Sequence, residues 1–175
     1  MEADGNYVLQ DREYINALDS KYEFVKIRPW YQIDVRLEDE RCKPKRANHT
    51  DAGADLVSTT TFVLQPNEQT MLDTGVAMKI PEGWVGLVFN RSSQGKIGVS
   101  IPNSVGVIDS DYRGNIKVLL KNNGKENYRI DKLETRIAQI VIVPIMLAQF
   151  EESAETLEDW LDTKRGAGGF GSTGV

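Results

Sequence analysis

The chain has one cysteine, Cys42, and one histidine, His49, in 175 residues. A lone cysteine excludes an intrachain disulfide and a thiolate-built zinc site, and it suits a reducing compartment. A lone histidine leaves any Ser-His-Asp triad or His-rich metal site resting on a single residue. That residue lies in RANHTDAG, which reads as an ordinary polar loop. No apolar run approaches the ~18 residues that mark a membrane helix. The opening stretch, MEADGNYVLQ, has neither the basic nor the apolar part of a signal peptide. The expectation is a cytoplasmic protein (in a host's cytoplasm, if the source is viral) with no membrane partner. Positive charge is also in deficit: 26 acidic residues face 21 Lys and Arg, for a net charge of −5. Nucleic-acid backbones are bound through clustered Lys and Arg, so no nucleic-acid partner is expected. A small phosphorylated ligand held by a few local donors is still compatible.

What the chain does have is many short β-like runs. Residues 1–30 read as an appendage, with Tyr14, Ile15, Leu18 and Tyr22 at helical spacing before Pro29. From residue 31 the texture changes. Runs at 31–37, 62–64, 69–72, 76–80, 84–89, 97–101, 105–108, 116–120, 128–130 and 137–145 read as strands. Turn signals separate them: Gln65-Pro66-Asn67, Pro81-Glu82-Gly83 and Asn122-Asn123-Gly124. So many short strands at close spacing predict an all-β fold, a barrel or jelly roll, over residues 31–150. The most apolar run, IAQIVIVPI at 137–145, is expected to be a central strand or a subunit contact. Its Gln139 is the one polar residue there and needs a hydrogen-bonding partner. Residues 151–164 carry six acids and one lysine and read as a linker or short helix. The last eleven residues, RGAGGFGSTGV, hold five of the fifteen glycines. Such a tail cannot bury enough surface to hold itself in place. The reading preferred for it is a flexible arm whose glycine N–H groups, Arg165 and Phe170 close over a ligand.

The stretch GVIDSDYRG, from Gly106 to Gly114, sets two carboxylates, Asp109 and Asp111, against packed Val and Ile. Ionised groups there need partners or water. Alone, the segment fits a strand running into a polar turn as well as it fits a site. Four further polar islands accompany it: AGADL at 52–56, NRSS at 90–93, RIAQ at 136–139 and RGAGGFGSTG at 165–174.

These five islands, in this order, resemble the motifs of the trimeric deoxyuridine triphosphatase (dUTPase) family, from about Tyr31 to Val175. The resemblance implies a distorted jelly-roll β-barrel, with the N-terminal appendage outside it and the Gly-rich arm as a lid. It implies a homotrimer with shared active sites that hydrolyses dUTP to dUMP and pyrophosphate, keeping uracil out of DNA and supplying dUMP for dTMP synthesis. Asp109 matches the base that activates water for attack on the α-phosphorus. Arg91, Ser92, Ser93 and Gln139 match the groups that hold the phosphates, with Arg136 bracing the site. Arg165 matches an arginine that stabilises transition-state charge. Asn103, Val107, Ile108 and Lys117 match the hairpin that reads the uracil edge. Tyr112 matches the residue that packs on the sugar and excludes a 2′-hydroxyl. Phe170, Gly171 and Ser172 match the part of the arm that closes over the substrate. The implied cofactor is Mg²⁺, held chiefly by the triphosphate and waters, with Asp55 contacting it through water. Asp111 and Arg113 are read as structural.

Two positions depart from the family's pattern. Ala54 stands where many members carry a bulkier residue, and Asn90 where Pro or Gly is common. Packing behind Asp55 and the turn before Arg91 are therefore expected to differ. A dCTP deaminase on a related fold uses a glutamate near the position of Asp109–Asp111, and no Glu lies between Glu82 and Glu126. A non-catalytic module that keeps the fold is disfavoured by the intact Arg91, Asp109, Gln139 and Arg165.

Overall fold

The computed structural model describes residues 32–169. The helix expected near residues 14–22 and the arm residues Phe170, Gly171 and Ser172 lie outside the described residues. The chain divides into units Met1–Ile33 and Asp34–Val175, and every element below belongs to the second.

Eleven strands follow one another among the described residues: β1 Asp34–Leu37, β2 Ala54–Val57, β3 Phe62–Leu64, β4 Gln69–Asp73, β5 Val76–Lys79, β6 Trp84–Phe89, β7 Val99–Ser100, β8 Gly106–Ile108, β9 Lys117–Asn122, β10 Tyr128–Ile130 and β11 Arg136–Pro144. A five-residue helix, α1 Ser92–Lys96, interrupts them, and a second, α2 Leu157–Leu161, follows β11. The all-β expectation is borne out. The strands are distributed over four sheets, all antiparallel, and among the described residues no hydrogen-bonded ring closes into a barrel: β1-β5, β10-β3, β2-β11-β6-β8 and β4-β9-β7.

Period-two patterning explains the core. In β9, Val118, Leu120 and Asn122 point inward while Lys117 is exposed. Leu56, Leu64, Val88, Ile116, Ile130 and Ile137 contribute fully buried side chains from six other places in the chain. Each is worth about 1.5–3 kcal/mol relative to exposure. Asn122 can end its strand inside the core because its amide is satisfied. Its Nδ2 donates to the carbonyls of Leu64 at 3.0 Å and Glu126 at 2.8 Å, and its Oδ1 accepts from Gly124 N at 2.9 Å. The apolar run at 137–145 is central, as expected: β11 lies between β2 and β6. Cys42 is buried, and that burial pushes its thiol pKa up. Among the described residues no helix is long and apolar enough to cross a membrane.

Three sequence expectations are corrected. AGADL contains a strand, β2, whose polar composition concealed it. The run at 97–101 shortens to β7, because α1 and its Ile97 cap take the residues before it. The segment through residue 108 is not a paired hairpin. β7 pairs with β9 in one sheet and β8 with β6 in another, so the loop at 101–105 crosses between sheets.

Candidate active site

Three adjacent strands gather the polar islands at one end of the four-stranded sheet. Asp55 on β2 faces Gln139 on β11, and Gln139 faces Phe89, the last residue of β6. The chain leaves β6 through Asn90 and Arg91 into α1, which brings NRSS beside both. Asp55 Oδ1 accepts from Arg91 Nε at 2.6 Å, and Oδ2 accepts from Arg136 Nη1 at 3.1 Å. Arg91 Nη1 also donates to Ser93 Oγ at 3.3 Å. The Arg91 and Asp55 side chains are only 21% and 16% exposed, so salt screens the pair weakly. One carboxylate between two guanidiniums leaves one net positive charge, which favours an anion at this place.

Neutral amides frame that cluster. Gln139 Nε2 donates to the Asn90 carbonyl at 2.9 Å, which supplies the partner its burial requires. Its Oε1 occupies space that a side chain at residue 53 would fill, so Gly53 makes room for it. Asn90 Nδ2 donates to the Val99 carbonyl at 2.9 Å, tying the β6 exit to β7. Gln94 is 2% exposed. Its Nε2 donates to the Ile137 carbonyl at 3.1 Å and to Tyr128 Oη at 3.4 Å, and its Oε1 accepts from Arg91 N at 3.3 Å. Sequence reasoning missed Gly53 and Gln94. The signal for Gln94 was its place three residues after Arg91, the spacing at which a glutamine reaches back to a helix start.

The GVIDSDYRG stretch lies elsewhere. Asp109 follows β8 and is exposed, in a turn closed by Tyr112 N donating to the Asp109 carbonyl at 3.2 Å. Arg113 Nη1 donates to the carbonyls of Ser110 at 2.7 Å and Tyr112 at 2.9 Å, so Arg113 braces the turn. In the β6–β8 register Val88 faces Gly106 and Gly86 faces Ile108. Asp109 therefore continues toward the Trp84 end of β6, whereas Arg91 lies beyond the Phe89 end. At ~3.3 Å per residue, roughly 15–20 Å of sheet separates them within one chain. Asn103 is exposed in the turn at 101–104, with Nδ2 donating to the Val105 carbonyl at 3.3 Å. Val107 is exposed and Ile108 is partly covered on β8, and Lys117 opens β9 facing Asp73. Ser92 and Ser93 occupy the first turn of α1, where backbone N–H groups have no intrahelical acceptor. Arg165 is exposed, and its Nε donates to the Gly168 carbonyl at 2.9 Å within its own segment.

Fold and cluster define a class: a small antiparallel β protein with an anion-favouring site at the edge of its central strand. The dUTPase family model matches residues 40–174. The chain is 46% identical over 141 residues to the deoxyuridine 5'-triphosphate nucleotidohydrolase of Corynebacterium glutamicum, covering 80% of this chain and 92% of that one. It is 41% identical over 149 residues to the protein of the same description from Escherichia phage T5, covering 81% and 98%. Among solved structures, a Staphylococcus bacteriophage 80alpha dUTPase mutant with dUpNHpp superposes with a TM-score of 0.69 at 32% identity, covering 82% of this chain and 99% of that one. A mutant dUTPase from phage phi11 of S. aureus, described with a structural Mg(II) ion, gives 0.65 at 32% identity, covering 71% and 98%. The chain belongs to the dUTPase family.

Proposed function

We infer that the chain hydrolyses dUTP to dUMP and pyrophosphate, with residues from more than one protomer completing each active site. The observation that carries this reading is the Asp55–Arg91–Arg136 cluster, one net positive charge set beside the first turn of α1. In this reading Arg91, Ser92, Ser93 and Gln139 receive the phosphates, and Gln139 also holds the turn at Asn90. Asp109 orients a water and takes its proton as the water attacks the α-phosphorus. Asn103 and the backbone of Val107 and Ile108 read the uracil edge, with Lys117 beside them. Tyr112 packs on the sugar. Arg165 meets the charge that develops on the phosphates, while Phe170, Gly171 and Ser172 close over the substrate.

The β6–β8 register supports the reading of shared sites. Asp109 and Arg91 lie at opposite ends of β6, so a second copy must bring an Asp109 to each Arg91. In this reading the second copy belongs to the homotrimer that the family resemblance implies. It is supported by the apolar side chains that the described residues leave in water, among them Met71, Val107, Met146, Leu147 and Phe150. The reading puts the enzyme in the cytoplasm, and the single buried cysteine supports a reducing setting.

Magnesium fits the residues present. Among the described residues no cluster of three His, Cys, Asp or Glu could cage an ion; in this reading the triphosphate and waters carry it. Asp55 accepts three guanidinium hydrogen bonds, counting one from Arg91 Nη2 at 3.4 Å, out of about four lone-pair positions. One position remains for a metal-bound water. When bound, the ion would neutralise charge on the phosphate oxygens.

The test is to incubate the full chain with each deoxynucleoside triphosphate and Mg²⁺. Pyrophosphate from dUTP alone is the expected result. Ammonia from dCTP, or no turnover of any of them, would overturn the reading.

A further inference from the structure

Tyr112 is held by contacts that the phosphate cluster does not share. Its phenol folds back along its own turn, and Oη donates to the Asn115 carbonyl at 2.9 Å. The ring lies over Gly114, where an added Cβ would stand 2.5 Å from Oη and 2.8 Å from Cζ. No packed neighbour tolerates such an approach, so a side chain at 114 must displace the ring. Gly114 is not among the positive-φ glycines, so an alanine backbone fits there without strain. What residue 114 provides is a recess.

The carbonyl that receives the phenol is itself fixed on both sides. Asn115 Nδ2 donates to Glu38 Oε1 at 2.6 Å, a partner 77 residues earlier in the chain, and Glu38 N is anchored on the Gly75 carbonyl at 2.9 Å. The following residue, Ile116, is buried, and its N–H donates to the Val76 carbonyl at 2.8 Å. Tyr112 is 41% exposed, so no enclosing core sets its ring. The Gly114 recess and the Asn115 carbonyl do.

We infer that Gly114 and Glu38 are positioning residues for Tyr112 and thereby set the preference for deoxyribose over ribose. The inference rests on the sugar-packing role proposed for Tyr112. Excluding a 2′-hydroxyl is a matter of about an ångström in ring placement, a displacement that can cost two orders of magnitude in rate at an active site. Glu38 acts through Asn115, and its contribution is the smaller because the pair is exposed.

The experiment compares kcat/KM for UTP with kcat/KM for dUTP, followed by pyrophosphate release with Mg²⁺, in the full chain and four variants. The ratio is internal to each preparation, so a loss of folded protein cancels. Tyr112→Ala and Gly114→Ala should each raise the UTP/dUTP ratio by ~10-fold or more. Glu38→Ala should raise it ~3-fold, and Glu38→Gln, which keeps the acceptor for Asn115, should return it to the parent value. A shift in Tyr112→Ala with parent ratios in both Gly114→Ala and Glu38→Ala overturns the inference alone. A parent ratio in Tyr112→Ala removes the sugar assignment, and the inference with it.

Discussion

At the Phe89 end of the four-stranded sheet, Asp55 holds Arg91 at 2.6 Å and Arg136 at 3.1 Å, Gln139 holds the Asn90 carbonyl at 2.9 Å, and Gln94 is buried. After Pro144 the chain does the reverse. Met146 and Phe150 are 89% and 93% exposed, the apolar side chains of α2 face water, and Arg165 bonds only along its own segment among the described residues. The first region is finished within one chain before any ligand arrives. The second leaves its large apolar side chains exposed. In the proposed reading, a phosphate site already held together avoids reorganisation when substrate enters. The same contrast separates Arg91 from Asp109, which the sheet register holds apart.

The sharpest way to break the comparison is to remove the proposed base. Asp109→Asn should lower kcat by ~10³-fold or more while a non-hydrolysable dUTP analogue still binds. Mixing Asp109→Asn protomers with Arg91→Ala protomers, each inactive alone, should return measurable activity once mixed trimers form. If confirmed mixed trimers stay inactive, the shared-site reading falls. The arm comes next. Deleting residues 165–175 should cut kcat/KM by ~10²–10³-fold and leave both oligomeric state and the urea midpoint where they were. Full activity in the truncated chain would sink the lid.

Much of this was legible in the residues, and the losses have physical causes. Strong period-two or wholly apolar runs were readable: β3, β6 and β10 fall where the pattern put them, and the central place of β11 followed from its apolarity. β2 was not readable, because a four-residue strand that carries Asp55 and directly follows Gly53 has the composition of a loop. Pairing between strands was also hidden. The runs at 97–101 and 105–108, which the resemblance makes part of a uracil-reading hairpin, join different sheets, a choice made by partners far along the chain. The five islands identified the chemistry without its support. Gln94, Gly53, Gly114 and Glu38 are commonplace residues in sequence, and only their contacts show that they shape the surroundings of Arg91, Gln139 and Tyr112.

The smallest expected effect tests the preformed half from below. Gln94→Met keeps the volume and removes every polar partner, stranding the Ile137 carbonyl and the Arg91 N–H in a buried place. Leaving such groups unmet costs about 1–3 kcal/mol, so the urea midpoint should fall at fixed protein concentration. The turn carrying Arg91, Ser92 and Ser93 should loosen, raising KM for dUTP several-fold, while kcat stays within ~2-fold because Asp109 belongs to another part of the fold. This is the opposite pattern to the tail deletion, which should cost turnover and no stability. If Gln94→Met lowers kcat as steeply as it raises KM, the cradle and the base are mechanically coupled, and the division between a finished half and a late-closing half is wrong at its root.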